Sequence, residues 1–217
     1  MTSSFVEALK GIVGHFGPTM KRNGFKKRRN TFNRTEQDQL VHVVSFCSLP
    51  AYSIGHGSFH LEFGVYVPAA RIYTGNPDPR SWVSAPYCSM RAKIGPQSQF
   101  NFHHSWPIDD CSKVLMEVSA AIERGLAFLS LLRSHEDILC FDESELDRFC
   151  QFGSDFGLGD RLEILRTCIQ LQTNQRLEAQ ETLIDYLNTC TSEEPRIIHH
   201  VTHVRKWAKT VNLKTQR

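Results

Sequence analysis

Ser58-Phe-His-Leu-Glu-Phe-Gly-Val-Tyr66 is the stretch on which the reading of this chain turns. Phe59, Leu61, Phe63 and Val65 share one face, and His60, Glu62, Gly64 and Tyr66 the other. A period of two marks a β-strand with a buried side. Pro68, which has no N–H to give a ladder, stops it. Working back toward Gly24, two more strands are expected. Phe25–Arg34 has Phe32 as its clearest core residue, and Leu40–Ser48 is rich in valine and phenylalanine. Thr35-Glu-Gln-Asp38 is a polar turn between them, and residues 49–57 form a connection bearing proline and glycine.

Helices flank this platform. Ser4 and Glu7 have the spacing of a capping box. Phe5, Val6, Leu9, Ile12, Val13 and Phe16 then follow at helical intervals. Pro18 predicts a kink or a restart, and Gly24 a left-handed helix end. Beyond the third strand, residues 68–87 read as a long loop with a helical turn near Ala69–Tyr73. Cys88–Ile94 is a fourth strand and Gln99–Trp106 a fifth. Asp109 or Asp110 caps the longest helix, whose stripe is Val114, Leu115, Val118, Ala121, Ile122, Leu126, Leu129 and Leu132. It should lie on the sheet beside the first helix, with Arg133 suiting its C-terminal end.

From Glu136 the chain reads as helical. Asp142 and Glu145 suggest a cap for a short helix through Phe152, and a loop with three glycines follows. Arg161–Gln172 and Arg176–Asn188 form a helical hairpin. Pro195 opens a last helix with Ile197, Ile198, Val201, Val204 and Ala208 inward. The expected fold class is α+β: an antiparallel sheet of four to five strands covered by two helices, residues 1–134, with an all-helical extension, 135–217.

Several motifs occur in order: Gly24-Phe25-Lys26-Lys27, Asn30-Thr31-Phe32-x-Arg34, Phe63-Gly64-Val65-Tyr66, Arg91-x-Lys93-Ile94-Gly95 and Trp106. Over roughly residues 5–132 this set resembles an uncharacterised bacterial family known as domain of unknown function 4304. The resemblance implies an antiparallel sheet backed by helices. It implies no activity and no site residues.

Composition sets outer bounds. In 217 residues, 41% hydrophobic and 22% charged side chains are those of an ordinary globule. Seven cysteines, none in a Cys-x-x-Cys pair, point to reduced thiols in a cytoplasmic protein. Glu7 and Lys10 argue against a secretory signal, and no apolar run suggests a membrane span. The net charge of +2 hides a division. Residues 1–108 hold 12 Lys+Arg against 5 Asp+Glu, and residues 109–217 hold 13 against 18.

The basic half is concentrated in one cluster: Lys21, Arg22, Lys26, Lys27, Arg28, Arg29 and Arg34, with Phe25 and Phe32 interleaved. Such a cluster suits phosphates, an acidic protein, or the protection of a sheet edge from pairing. Tyr73, Trp82 and Tyr87 in the proline-rich loop suit a binding surface, since aromatics dominate interface hot spots. His199 and His203, four apart on a helix, have metal-ligand spacing but no third ligand. His103, His104 and Asp109 are the best group for acid–base work, without a nucleophile beside them. Gly55 and Gly57 precede a strand, and Gly153, Gly157 and Gly159 lack the Lys-Ser/Thr of a phosphate loop. Cys111 is the best placed thiol for a nucleophile.

These readings favour a non-catalytic protein that binds another macromolecule, with an immunity-type inhibitor of a toxin as its specific form. A nucleic-acid or phosphate-binding module using residues 21–34 is the alternative. A hydrolase or transferase centred on His103, His104 and Asp109 is a further one. No metal, cofactor or membrane is expected.

Overall fold

The computed structural model describes residues 3–49, 57–75, 81–94, 105–107, 111–142, 144, 162–191 and 194–215. By its contacts the chain divides into two compact units, Met1–Val67 with Pro79–Gly157, and Pro68–Asp78 with Leu158–Arg217.

The first unit is α+β. Its sheet is antiparallel throughout, in the order β1-β2-β3-β4-β5, with the short β6 also paired to β4. The strands are β1 (Lys26–Arg28), β2 (Thr31–Thr35), β3 (Val41–Leu49), β4 (Ser58–Tyr66), β5 (Met90–Ile94) and β6 (Trp106–Pro107). The alternation in β4 is realised, but both faces are covered, since His60 and Tyr66 are buried on the outer side as well. Phe59, Leu61, Phe63 and Val65 are fully buried on the inner face. Cross-strand pairing puts Phe46, Val44 and Phe32 on that face beside them. A row of rings crosses it: Phe16, Phe46, Phe59 and Trp106 lie 5.4–6.3 Å apart, centroid to centroid. Trp106 closes the row and donates its indole N–H to Glu117 at 2.9 Å.

Helices α1 (Ser3–Arg22) and α3 (Cys111–Ser130) pack on this inner face. In α3, Gly125 lies so close to the Phe63 ring that a Cβ there would overlap it. The polar turn between β2 and β3 does more than reverse the chain. Glu36 pairs with Arg34 and Arg133, and Asp38 accepts from the His135 backbone N–H at 2.7 Å. It thus clamps the end of α3 and the start of α4 (His135–Leu139). That helix begins at a capping box made by Ser134 and Asp137, which the sequence reading placed at neither residue.

Three expectations are corrected. Pro18 does not restart the first helix, which runs through it for 20 residues. The helix ends where foreseen: Gly24 takes φ +81°, and the Phe25 N–H reaches the Met20 carbonyl at 3.0 Å. Phe25–Arg34 is not one strand but a hairpin, because Arg29 turns left-handed at φ 55° between β1 and β2. Glu7 bonds Lys10 at 2.7 Å, while the side chain of Ser4, its expected capping partner, lies outside the described residues. Val6 is not inward; it is 37% exposed.

The second unit joins a piece of the proline-rich stretch to the C-terminal helices. Pro68–Ala70 and α2 (Arg71–Thr74) pack on α5 (Leu162–Gln172), which pairs with α6 (Arg176–Thr189). Leu162, Ile169, Leu183 and Val204 are fully buried, with Ala208 of α7 (Pro195–Thr210). Ile198 is a correction: it is 53% exposed, while Trp207 is buried in its place. Trp207 donates to the Ile72 carbonyl at 2.9 Å, and Tyr73 packs edge-on against both Trp207 and His203.

Candidate functional site

The basic cluster resolves into two populations. Lys21, Arg22, Lys26, Lys27, Arg28 and Arg29 are all exposed. Among the described residues none of the six enters an ion pair. Arg34 turns inward. It donates to the Asn23 carbonyl at 2.9 Å, meets His42 Nδ1 at 3.1 Å, pairs with Glu36 and lies over the Phe25 ring. Its charge is spent on the fold. Phe25 and Phe32, interleaved with these cations in the sequence, are likewise buried.

The hairpin explains why the cations gather. Among the described residues β1 is the edge of the sheet, with a partner strand on one side only. Its three residues are all exposed and all basic. Alternation sends Lys27 to the inner-face side, 5.9 Å over the Phe32 ring. Lys26 and Arg28 take the opposite side. Beside Lys27 lies a groove of about 700 Å³, lined by Phe5, Val6, Leu9 and Val13 of α1 and by Lys10, Lys27, Arg29, Asn30 and Ser48. Its floor is aliphatic and aromatic, and its rim is cationic.

The aromatic candidates separate. Tyr87 is 45% exposed and Trp82 half-buried in the first unit, while Tyr73 belongs to the second. Val83 and Cys88 from the same stretch close part of the outer sheet face, packing on Val43 and Tyr66. Cys88 comes so near Gly64 that a side chain there would meet its sulfur. Burial pushes the Cys88 thiol up, and raises Cys168 to about 12. Neither is poised as a nucleophile.

His199 is exposed and His203 is held by Tyr73; among the described residues no third metal-binding side chain joins them. His103, His104, Asp109, Gly55, Gly153, Gly157 and Gly159 lie outside the described residues, as does the side chain of Cys111. Gly57 is explained by packing, since a Cβ would strike the Phe5 ring.

A second cluster was missed. On the outer face of the sheet, His60 Nε2 sits 3.2 Å from Glu62 Oε1, with Cys47 beside them. The His60 bond, helped by its charge, holds the Glu62 carboxyl below the ordinary carboxylate range against burial. Burial and the neighbouring Glu62 push the Cys47 thiol up to about 12. The signal was available in the alternation, which puts His60 and Glu62 on one face. What hid it was the register that brings Cys47 opposite.

Comparison with known families fits this architecture. A family model matches residues 16–131, just over half of the chain, and the chain belongs to that family. Its description is Domain of unknown function (DUF4304). No curated protein and no solved structure matches. No helix among the described residues is long and apolar enough to cross a membrane.

Proposed function

We propose that this chain is a non-catalytic binding protein that receives an acidic protein partner on the β1 edge and the groove beside it. The observation that carries the reading is an apolar-floored groove of about 700 Å³ lined by Lys27 and Arg29, two of six exposed cations that enter no ion pair among the described residues. Cations at an interface rim steer and select an acidic partner. An apolar slot beside them supplies the water-excluded anchor that gives most of the affinity. Val6, an exposed aliphatic on the groove wall, is placed to serve that anchor.

A nucleic acid is the less favoured ligand. Binding single strands relies on aromatic platforms for base stacking. Phe25 and Phe32, the aromatics of the cluster, are in the core. The narrower form of the reading is a toxin-neutralising immunity-type protein acting in the cytoplasm, where a small binder covers a partner's working surface. Free thiols at Cys47, Cys88, Cys140, Cys168 and Cys190 fit a reducing compartment.

The test is affinity capture on the full chain from native lysate, with nuclease treatment. The reading expects a stoichiometric protein partner, released by moderate salt. Capture should be lost when Lys26, Lys27, Arg28 and Arg29 are all changed to glutamate. It should persist when Arg205 and Lys206, exposed on α7, are changed the same way. Retention of nucleic acid alone, or capture indifferent to the β1 reversal, would overturn it.

A further inference from the structure

Cys47, His60 and Glu62 have no role at the β1 edge. They lie on the outer face of β3 and β4, where the register sets Cys47 opposite His60, with Glu62 two residues further along the same face. One donor atom from each comes within 4.8 Å of the others. His60 is 5% exposed, and its Nδ1 is buried with no hydrogen-bond partner among the described residues. Its other nitrogen meets Glu62. Cys47 and Glu62 are half-buried, so an ion has a path in from solvent.

We propose that Cys47, His60 and Glu62 form a binding site for a borderline-soft divalent metal ion of the zinc class, with a fourth position open to water or an incoming ligand. The donor set selects the ion. One sulfur, one imidazole nitrogen and one carboxylate oxygen suit Zn²⁺ and Co²⁺, whereas Ca²⁺ and Mg²⁺ demand oxygen. Zinc bonds of about 2.0–2.3 Å put tetrahedral donors roughly 3.2–3.8 Å apart. Small side-chain movements on two paired strands close the set to that size.

Charge favours the assignment too. A thiolate and a carboxylate neutralise a divalent ion. Lys93 is paired with Glu62, and Arg91 with Gly64, so both cations stand on the same face; they meet a neutral complex. Loading breaks the Cys47 S–H bond, forms the sulfur–metal bond and passes the proton to buffer. Affinity therefore rises with pH.

The test is a Co²⁺ titration of the full chain followed by Zn²⁺ displacement. The proposal expects one Co²⁺ per chain, a thiolate-to-cobalt charge-transfer band, and loss of that band on adding Zn²⁺. Cys47→Ser and His60→Gln should each weaken Co²⁺ binding at least ~100-fold, since loss of outer-shell partners alone costs 10–100-fold. His199→Gln should leave it unchanged. Circular dichroism of the metal-free variants checks that they fold. The wild-type spectrum is decisive even where a variant does not. Absence of the thiolate band, or its persistence in Cys47→Ser, overturns the proposal.

Discussion

His42 shows how one buried residue ties the sheet to its cover. Its side chain is fully buried on the inner face. Arg34 can only donate, so His42 Nδ1 accepts at 3.1 Å, and the Nε2–H must donate to the Leu132 carbonyl at 2.7 Å. The ring is therefore neutral. Burial holds its pKa below the ordinary value, as do the Arg34 and Arg133 charges, while the Leu132 bond and Glu36 pull the other way. His135, facing Asp38, is lowered by burial as well. Between the lowered and the ordinary value, the unfolded chain binds protons that the folded chain refuses. Stability is thus complete above about pH 6.5 and falls as pH drops below it. Denaturant titrations over that window should show the decline, with a shallower slope in His42→Gln. An equal slope in the variant would remove His42 as a cause. At neutral pH the same variant should lose about 1–3 kcal/mol, the usual cost of disturbing buried hydrogen-bonding groups. None of this was visible in the sequence, where His42 is one polar residue in a valine-rich strand. Its partners lie 8 and 90 positions away.

At the scale of elements, periodicity was a good guide and punctuation a mixed one. The alternation in β4 and the stripes of α1 and α3 named most of the inner core correctly, because burial of one face is what those patterns record. Gly24 was legible for the same kind of reason: a helix end needs a residue tolerant of positive φ. Pro18 marks no new helix start, since the 20-residue helix runs through it and keeps its buried face, with Phe16 before the proline and Met20 after it. The β1–β2 turn was hidden because Arg29 adopts φ 55° without being glycine. Glycines inside helices divide by what surrounds them, which gives a paired prediction. Gly125→Ala should destabilise by about 1–3 kcal/mol through overlap with Phe63, despite alanine's better helix propensity. Gly11→Ala, facing open space, should stabilise by about 0.5–1 kcal/mol. Urea unfolding of both variants checks this, and the same sign for the two would contradict the packing.

For the molecule as a whole, the sequence conveyed an α+β sheet with C-terminal helices, but not how its stretches are shared between units. Pro68–Asp78 joins Leu158–Arg217, because Trp207 and Tyr73 find each other across more than a hundred residues. Spacing carries no record of such long-range contacts. The candidate surface was half legible. The density of cations at 21–34 was plain, but sequence alone did not separate six exposed charges from Arg34, nor place an apolar groove beside them. The cross-strand cluster on the outer face depends on register, which follows from the finished sheet.

The central claim is that the β1 edge and its groove are the contact surface. Hydrogen–deuterium exchange of the full chain, with and without its captured protein partner, tests it most directly. The account predicts that protection appears at residues 26–30 and along the first half of α1, while α7 is unchanged. Protection confined to α7 or to the 82–88 segment, with the β1 edge exchanging as fast as in the free chain, would contradict it.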